Sequence, residues 1–422
     1  MSEEEKNQEK EDQETDLWKC LRCGEEFDFL KPEKPIKCQN PNCDSNNLRA
    51  LTGAWQYFKG DSFVPSRLAC DIMNDHYFAT NESSGTMFVC ENGVYRDRGE
   101  QFAESEAQRR LESLTKDRYI RETRNFIKRA THKKTKEFGC DEGVLLENGV
   151  LDLESRELKE IDPKKLYLSK IPVHYDPEAD CPKVKEFVSD LVHDQDQALI
   201  QEMFGYCLVS DYPFAKAFML LGSGANGKST LLRLLTIFLG KENVASPSLQ
   251  ELLNKRFRKI ELFGKLANID SDLSDEELED TGTFKKLTGN DPVNADRKNK
   301  NPIEFYNHAK MIYSANELPR TSDRTEAFFR RWIIIEFPNQ FLDGDSETDE
   351  NLPESILDEK ELSGVLNWAL EGLDRLKENG GFSRSKKREE IEGKWIRQTD
   401  SLRGFIDDFL TVSSDHKISK EL

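Results

Sequence analysis

Gly222-Ser223-Gly224-Ala225-Asn226-Gly227-Lys228-Ser229-Thr230 is the stretch whose reading decides the fold. It fits G-x-x-x-x-G-K-[ST], the pattern of a phosphate-binding loop. Its setting fits too. Ala217-Phe218-Met219-Leu220-Leu221 before it is an apolar run of strand length. After it, Leu231, Leu232, Leu234, Leu235 and Phe238 repeat at helical spacing, and Gly240 is a C-terminal stop. Strand, glycine loop and helix together aim backbone N–H groups and the positive end of a helix dipole at phosphate oxygens. In this pattern Lys228 lies against the β- and γ-phosphates and the Ser229 hydroxyl holds Mg2+. A Gly-rich turn matching by accident is the competing account, and the flanking strand and helix weigh against it.

A length of 422 residues fits about two to four domains. Hydrophobic residues at 36% suffice for packed cores, while 33% charged residues make a very polar surface. The formal net charge of −19 excludes a protein that coats nucleic acid through overall charge, so nucleic-acid contact has to come from local basic patches. No apolar run is long enough to span a membrane. The acidic stretch 1–16 lacks a signal-peptide core and reads as a disordered tail. Nine cysteines without a secretory signal point to a reducing compartment, read as the cytoplasm.

Cys20-Leu-Arg-Cys23 and Cys38-Gln-Asn-Pro-Asn-Cys43 have the paired-knuckle spacing of a zinc ribbon, expected over 17–48. Four thiolates would leave no open position on Zn2+, and the metal would supply folding energy that so small a unit lacks. Four unrelated thiols is the alternative. Residues 52–180 read as a mixed helical and hairpin domain. Asn92-Gly93 and Asn148-Gly149 mark two hairpins, and one long helical stretch runs from Glu104 to Lys128. That stretch carries Arg109, Arg110, Arg118, Arg121, Arg124 and Lys128 beside Glu104, Glu106, Glu112, Asp117 and Glu122. It is either a solvated face of paired charges or a DNA-facing surface. Pro182 to Leu208 is a helical lead-in to an ATPase core over 182–380, with a helical segment over 381–422. The six histidines are scattered and form no catalytic constellation.

Two further stretches complete a nucleotide site. Lys265-Leu-Ala-Asn-Ile-Asp270-Ser-Asp272 is a short buried strand ending in carboxylates, either of which suits Mg2+ or the attacking water, although an acidic loop also accounts for it. Ala309 to Asn316 is an apolar strand ending in an amide suited to a polar sensor. Phe328-Phe329-Arg330-Arg331-Trp332 offers an arginine finger or plain surface ion pairs.

The ordered set resembles the superfamily 3 helicases, in the primase–helicase branch of phages, plasmids and large DNA viruses. It comprises the phosphate loop, the Asp-ending strand, Phe284-Lys-Lys-Leu-Thr-Gly-Asn-Asp-Pro292, Asn316-Glu-Leu-Pro319 and Phe329-Arg-Arg331, and covers roughly Ala50 to Asn379. The resemblance implies an α/β P-loop NTPase core of AAA+-like type and a homo-hexameric ring that hydrolyses ATP between subunits and unwinds DNA. Single-stranded and forked DNA, a primase and other replication proteins are the implied partners. Asp272 is the first acidic candidate and Asp270 the second. This is a departure, since the family more often has Glu there. Asn316 is implied as the sensor, Arg330 as the finger with Arg331 close behind, and Lys285, Lys286, Arg297, Lys298 and Lys300 as the hairpin that follows DNA through the pore. The residues preceding the core leave no room for a polymerising domain, so primer synthesis is not expected. A winged helix is expected to begin, cut short, near the end. Two other functions share parts of this pattern: an origin- or partner-binding module with a degenerate ATPase, and a DNA packaging or remodelling motor.

Overall fold

The computed structural model describes residues 15–20, 26–30, 39, 48–50, 53–139, 143–274, 276, 278, 281–298, 300–341, 358–384 and 386–399. The chain divides into two compact units, Met1–Glu91 with Tyr95–Lys133, and Asn92–Val94 with Lys134–Leu422.

In the first unit, β1 (Thr15–Cys20) pairs antiparallel with β2 (Glu26–Leu30) and β3 (Leu48–Ala50). Cys20 ends β1. Cys23, Cys38 and Cys43 lie outside the described residues, and so does the acidic stretch before Thr15. Helix α1 (Pro65–Asp75) precedes β4 (Phe78–Asn81), β5 (Met87–Glu91) and β6 (Val94–Arg96). Asn92 and Gly93, with φ of 51° and 85°, form the positive-φ turn that an Asn-Gly pair favours. The single helix expected from Glu104 to Lys128 is in fact two, α2 (Gly99–Leu111) and α3 (Asp117–Ala130), followed by β7 (His132–Lys133). Glu112 turns the chain with φ 48°, and the Thr115 hydroxyl donates to the carbonyls of Gln108 and Glu112. A side chain that bonds the backbone in this way stops a helix whose apolar spacing would otherwise continue.

Most cations of this pair of helices are engaged. Arg110 bonds Asp71 at 2.7 Å and Asp75 at 2.6 Å, Arg109 bonds Glu106, Arg118 bonds Glu122, Arg124 bonds Glu104, and Lys128 bonds Glu100. These pairs are what a solvated face of paired charges requires.

The second unit is built on a five-stranded, all-parallel sheet. Strand β8 (Val144–Leu146), β9 (Gly149–Leu151) and β10 (Leu158–Lys159) form a small antiparallel sheet ahead of it. Helices α4 (Pro182–Leu191) and α5 (Asp194–Tyr206) divide the helical lead-in at Val192-His193. Then come β11 (Ala217–Leu221), α6 (Lys228–Leu239), β12 (Val244–Ala245), α7 (Leu249–Asn254), β13 (Ala267–Asp270) and α8 (Thr281–Leu287). A hairpin of β14 (Pro292–Arg297) and β15 (Lys300–Tyr306) leads to β16 (Lys310–Ala315), α9 (Glu326–Phe329) and β17 (Trp332–Glu336). Helices α10 (Glu359–Glu378) and α11 (Lys386–Thr399) follow. The sheet order is β12-β13-β16-β11-β17.

The sheet strands are buried on both faces, as their continuous apolar runs require. Val144, Leu146, Leu151, Ile171 and Val173 share this core, so these residues pack with the sheet. Lys310, fully buried at the start of β16, donates to the carbonyls of Val209 and His308, and its ammonium lies 4.7 Å from the ring centroids of both Tyr206 and Tyr212. Burial lowers its pKa to about 8. Helices α5 and α10 cross closely. The fully buried Glu202 accepts from Arg375 Nε at 2.9 Å and from Ser383 N at 2.9 Å. A Cβ on Gly205 would lie 2.3 Å from the Ala369 carbonyl and 2.7 Å from Leu373 N. Gly205→Ala is therefore expected to destabilise the chain by about 2 kcal/mol, read as a lower urea midpoint at unchanged slope.

Candidate nucleotide-binding site

Parallel strands carry all their C-terminal ends to one edge of a sheet, and ligands collect in the crevice there. At that edge Gly222 N–H donates to the Ala315 carbonyl at 3.1 Å, and Phe337 N–H donates to Leu221 at 2.8 Å. The glycine loop is thus stitched to the ends of β16 and β17. Gly224, Ala225 and Gly227 take φ of 101°, 48° and 77°. Turn conformations with such positive-φ residues suit an anion nest of successive backbone N–H groups. At Ala225 the conformation is strained for a residue with a Cβ, a cost met most often at functional loops. Gly227 begins α6 with no side-chain cap, so the first N–H groups of the helix are open to an outside acceptor. Leu191, at the end of α4, lies against Gly227 so closely that a Cβ there would meet it at 2.2 Å.

Lys228 is 5% exposed. Its ammonium donates to the Gly222 carbonyl at 2.7 Å and to Asn226 Oδ1 at 2.8 Å. Both acceptors are neutral, and burial lowers the lysine pKa. Ser223 Oγ accepts from Gln340 Nε2 at 2.8 Å, while Ser229 is exposed at the start of α6 and Thr230 is half-buried. Asp270 ends β13 half-buried. Its Oδ1 accepts the Asp272 N–H at 3.3 Å, and its Oδ2 is buried without a partner. Burial pushes this carboxyl above its ordinary value, with the Asp272 N–H acting against the rise. Asp272, ranked first by sequence, is exposed on the loop beyond. Asn316 is exposed just past β16, the strand between β13 and β11. A buried ammonium without an anion after β11 and an orphaned carboxylate oxygen at the end of β13, one strand apart on the same edge, are fit partners for a phosphate and a divalent cation.

Arg330 and Arg331 lie elsewhere. Ala217 N–H donates to the Arg331 carbonyl at 2.7 Å, which fixes both arginines at the amino edge of the sheet. The length of β11, roughly 15 Å, separates them from the glycine loop of the same chain. Arg330 is exposed. Arg331 is half-buried, donates to Thr288 Oγ1 at 3.0 Å, and has its pKa lowered by burial and by Arg330.

Residues 71–193 match a family described as D5 N terminal like, and residues 220–331 match a family of unknown function, DUF5906. A protein of Acanthamoeba polyphaga mimivirus named "Putative helicase L207/L206" is 28% identical over 210 residues, which cover 46% of this chain and 22% of that protein. These matches support the resemblance to the superfamily 3 helicases, in their primase–helicase branch. The chain spans about a fifth of the length of the mimivirus protein it matches. The apo A-form structure of the NrS-1 C-terminal region has a similar fold, with a TM-score of 0.51 at 16% identity over 80% of this chain and 75% of that one.

The β14–β15 hairpin packs Val293, Ala295, Ile303 and Phe305 inward and leaves Lys298 and Lys300 exposed at its tip. Arg297 faces Lys300 across the hairpin and is half-buried. Lys286 is exposed, whereas Lys285 is drawn away to Asp323 at 2.5 Å. A neighbouring turn adds Arg256 and Phe257, which the family pattern does not include. Arg256 bonds Asp296 of the hairpin at 2.9 Å, and its guanidinium lies 5.5 Å from the ring centroid of Phe257, which is 47% exposed. The run Lys255-Arg-Phe-Arg-Lys259, a lone aromatic among four cations, is the signal that marks them. Among the described residues no group of three or more His, Cys, Asp or Glu is placed to hold a metal ion, and no helix is long and apolar enough to cross a membrane.

The raised Asp270 carboxyl has a consequence for stability. Below its ordinary value of 3.8 the group is neutral, and the stability is fully present. As pH rises through the raised folded value, Oδ2 has to carry charge without a partner, and stability is lost. Asp270→Asn is expected to melt above the unsubstituted chain at about pH 7.5, with the gap closing toward about pH 4. Thermal unfolding at the two pH values checks it.

Proposed function

We propose that this chain is an ATP-dependent DNA helicase of a viral, phage or plasmid replication system, working as a ring of identical subunits, six by the resemblance. The reading rests above all on one observation: the glycine loop, Asp270 and Asn316 share the carboxyl edge of the sheet, while Arg330 stands exposed at the amino edge. An arginine so far from the loop of its own chain suits the site of a neighbouring copy.

In this proposal the loop from Gly222 to Gly227 binds the ATP phosphates through backbone N–H groups, and Lys228 turns its ammonium from Asn226 toward the β- and γ-phosphates. Mg2+, when bound, would neutralise phosphate charge, with Ser229 and Asp270 as its protein-side holders. Asp270 takes this role ahead of Asp272 because it is half-buried with an orphaned oxygen. Asp272 and Asn316 orient the attacking water, and Arg330 of the adjacent copy stabilises the charge on the transferred phosphoryl group. The exposed cations Lys286, Lys298 and Lys300, with Arg256 and Phe257 beside them, form the surface for single-stranded or forked DNA. Cations there attract the backbone, and an exposed ring gives a base a stacking face. The cysteine pairs at Cys20, Cys23, Cys38 and Cys43 suit a structural Zn2+ that supports contacts with DNA, a primase or other replication proteins.

A shared site makes two inactive variants complementary. Lys228→Ala keeps Arg330 but lacks the loop lysine, and Arg330→Ala keeps the loop but lacks the arginine. Each alone is expected to lose about a thousandfold in DNA-stimulated ATP turnover. Mixed before assembly, they should recover part of it, because some boundaries then join an intact loop to an intact arginine. A mixture as inactive as its components would count against the shared site. Full unwinding by Lys228→Ala would sink the helicase reading itself.

A further inference from the structure

Helix α8 leads into the base of the hairpin and is fastened at both ends to the segment that presents Arg330. At its start the Thr281 hydroxyl donates to Asp323 Oδ2, and from its last turn Lys285 Nζ donates to the same oxygen at 2.5 Å and to Thr325 Oγ1 at 3.1 Å. Asp323 Oδ1 accepts from Thr325 N at 2.8 Å and from Thr325 Oγ1 at 2.6 Å. The Asp323 side chain is only 8% exposed. Burial alone would raise its pKa, yet the donors around it hold the carboxyl well below the usual range. Beyond the last turn, Thr288 Oγ1 accepts from Arg331 Nε at 3.0 Å and donates to the Phe284 carbonyl at 2.9 Å. Between the two ties, the Phe284 ring stacks on Trp332 at 4.7 Å and 12°. Trp395 of α11 closes the cluster against Phe328, Phe329 and Trp332, its indole N–H donating to the Pro319 carbonyl at 2.9 Å.

These ties use up two residues that the sequence assigns to other work. Lys285 spends its ammonium on a buried carboxylate, which removes it from the DNA surface. Arg331 spends its guanidinium on Thr288 and the Ala327 carbonyl within its own chain. Arg330 is left exposed, on a backbone that the ties hold to α8.

We propose that Asp323, with Lys285 and Arg331, is a positioning residue that makes the hairpin base and the Arg330 segment one rigid piece, so that displacement of the hairpin by DNA moves the arginine at the neighbouring site. The inference rests on the helicase reading and adds to it the route by which DNA stimulates turnover. A loose joint would let the hairpin move without the arginine. DNA would still bind, but binding would no longer accelerate hydrolysis.

The test uses the full chain with MgATP and a poly-dT oligonucleotide. ATP turnover is measured with and without the oligonucleotide, and its binding is followed by fluorescence anisotropy. Asp323→Asn should bind the oligonucleotide within about twofold of the unsubstituted chain, yet lose about tenfold in DNA-stimulated kcat at unchanged KM. Lys285→Asp should lose stimulation similarly, and the swapped pair Lys285→Asp with Asp323→Lys should recover it to within about threefold, as a direct pair predicts. Should Asp323→Asn fail to fold, the swapped pair decides alone. Normal stimulation in Asp323→Asn, or a folded swapped pair no better than Lys285→Asp, overturns the proposal. Arg330→Ala separates the two levels. If it is inactive while Asp323→Asn is stimulated normally, only the joint fails. If it turns over normally, the shared-arginine reading fails and takes the joint with it.

Discussion

The parallel pairing of β11 between β16 and β17 is the constraint on which the rest of this protein depends. Its register, Phe218 opposite both Ile312 and Ile333, brings the ends of three separate chain segments to one edge. No side-chain chemistry along the strands achieves this. It follows from backbone hydrogen bonds between strands that all run one way, with helices covering both faces. The glycine loop, Asp270 and Asn316 share one edge because the Asn316 strand, β16, pairs with β11 on one side and β13 on the other. The same pairing sends the residues before β17 to the opposite edge, which turns an arginine pair distant from the loop into a candidate for another copy's site.

Charge is distributed on a finer scale than the net value suggests. The chain is strongly acidic, and many of its cations are already engaged by acids of the same chain. Ion pairs at the surface add little stability, but they remove those cations from any role that needs a free positive charge. Around the hairpin, Lys286, Lys298 and Lys300 are exposed, while Arg256 is tied to Asp296 beside the exposed ring of Phe257. Lys310 shows the other extreme, a buried ammonium satisfied by carbonyls and aromatic faces, serving the fold at the edge away from the glycine loop.

Much of the architecture was legible in the sequence because its signals are local. An apolar run, glycines that allow positive φ and a helical repeat lie next to one another along the chain, and each of these residues acts on its own backbone. The Asn-Gly turns were legible for the same reason. The helix break at Glu112 was not, since the apolar spacing on either side stays in phase, and a hydroxyl bonding the backbone leaves no periodic trace. The packing of Val144, Leu146 and Leu151 with the sheet was hidden as well, because burial against a distant strand has no signature in composition.

By itself the sequence determined the phosphate-loop pattern, the strand and helix around it, and the types of side chain available to a nucleotide site. Only the tertiary structure decided which member of each candidate pair stands where. Asp270 and Asp272 are adjacent in sequence and alike in chemistry, yet strand geometry buries one and exposes the other. Arg330 and Arg331 differ by one position, and the turn after α9 directs one into Thr288 and the other to solvent. Lys285 and Lys286 divide in the same way around α8. Neighbours on a helix or strand point in different directions, so residue type sets what a group can do, and the packing of distant segments sets whether it is free to do it.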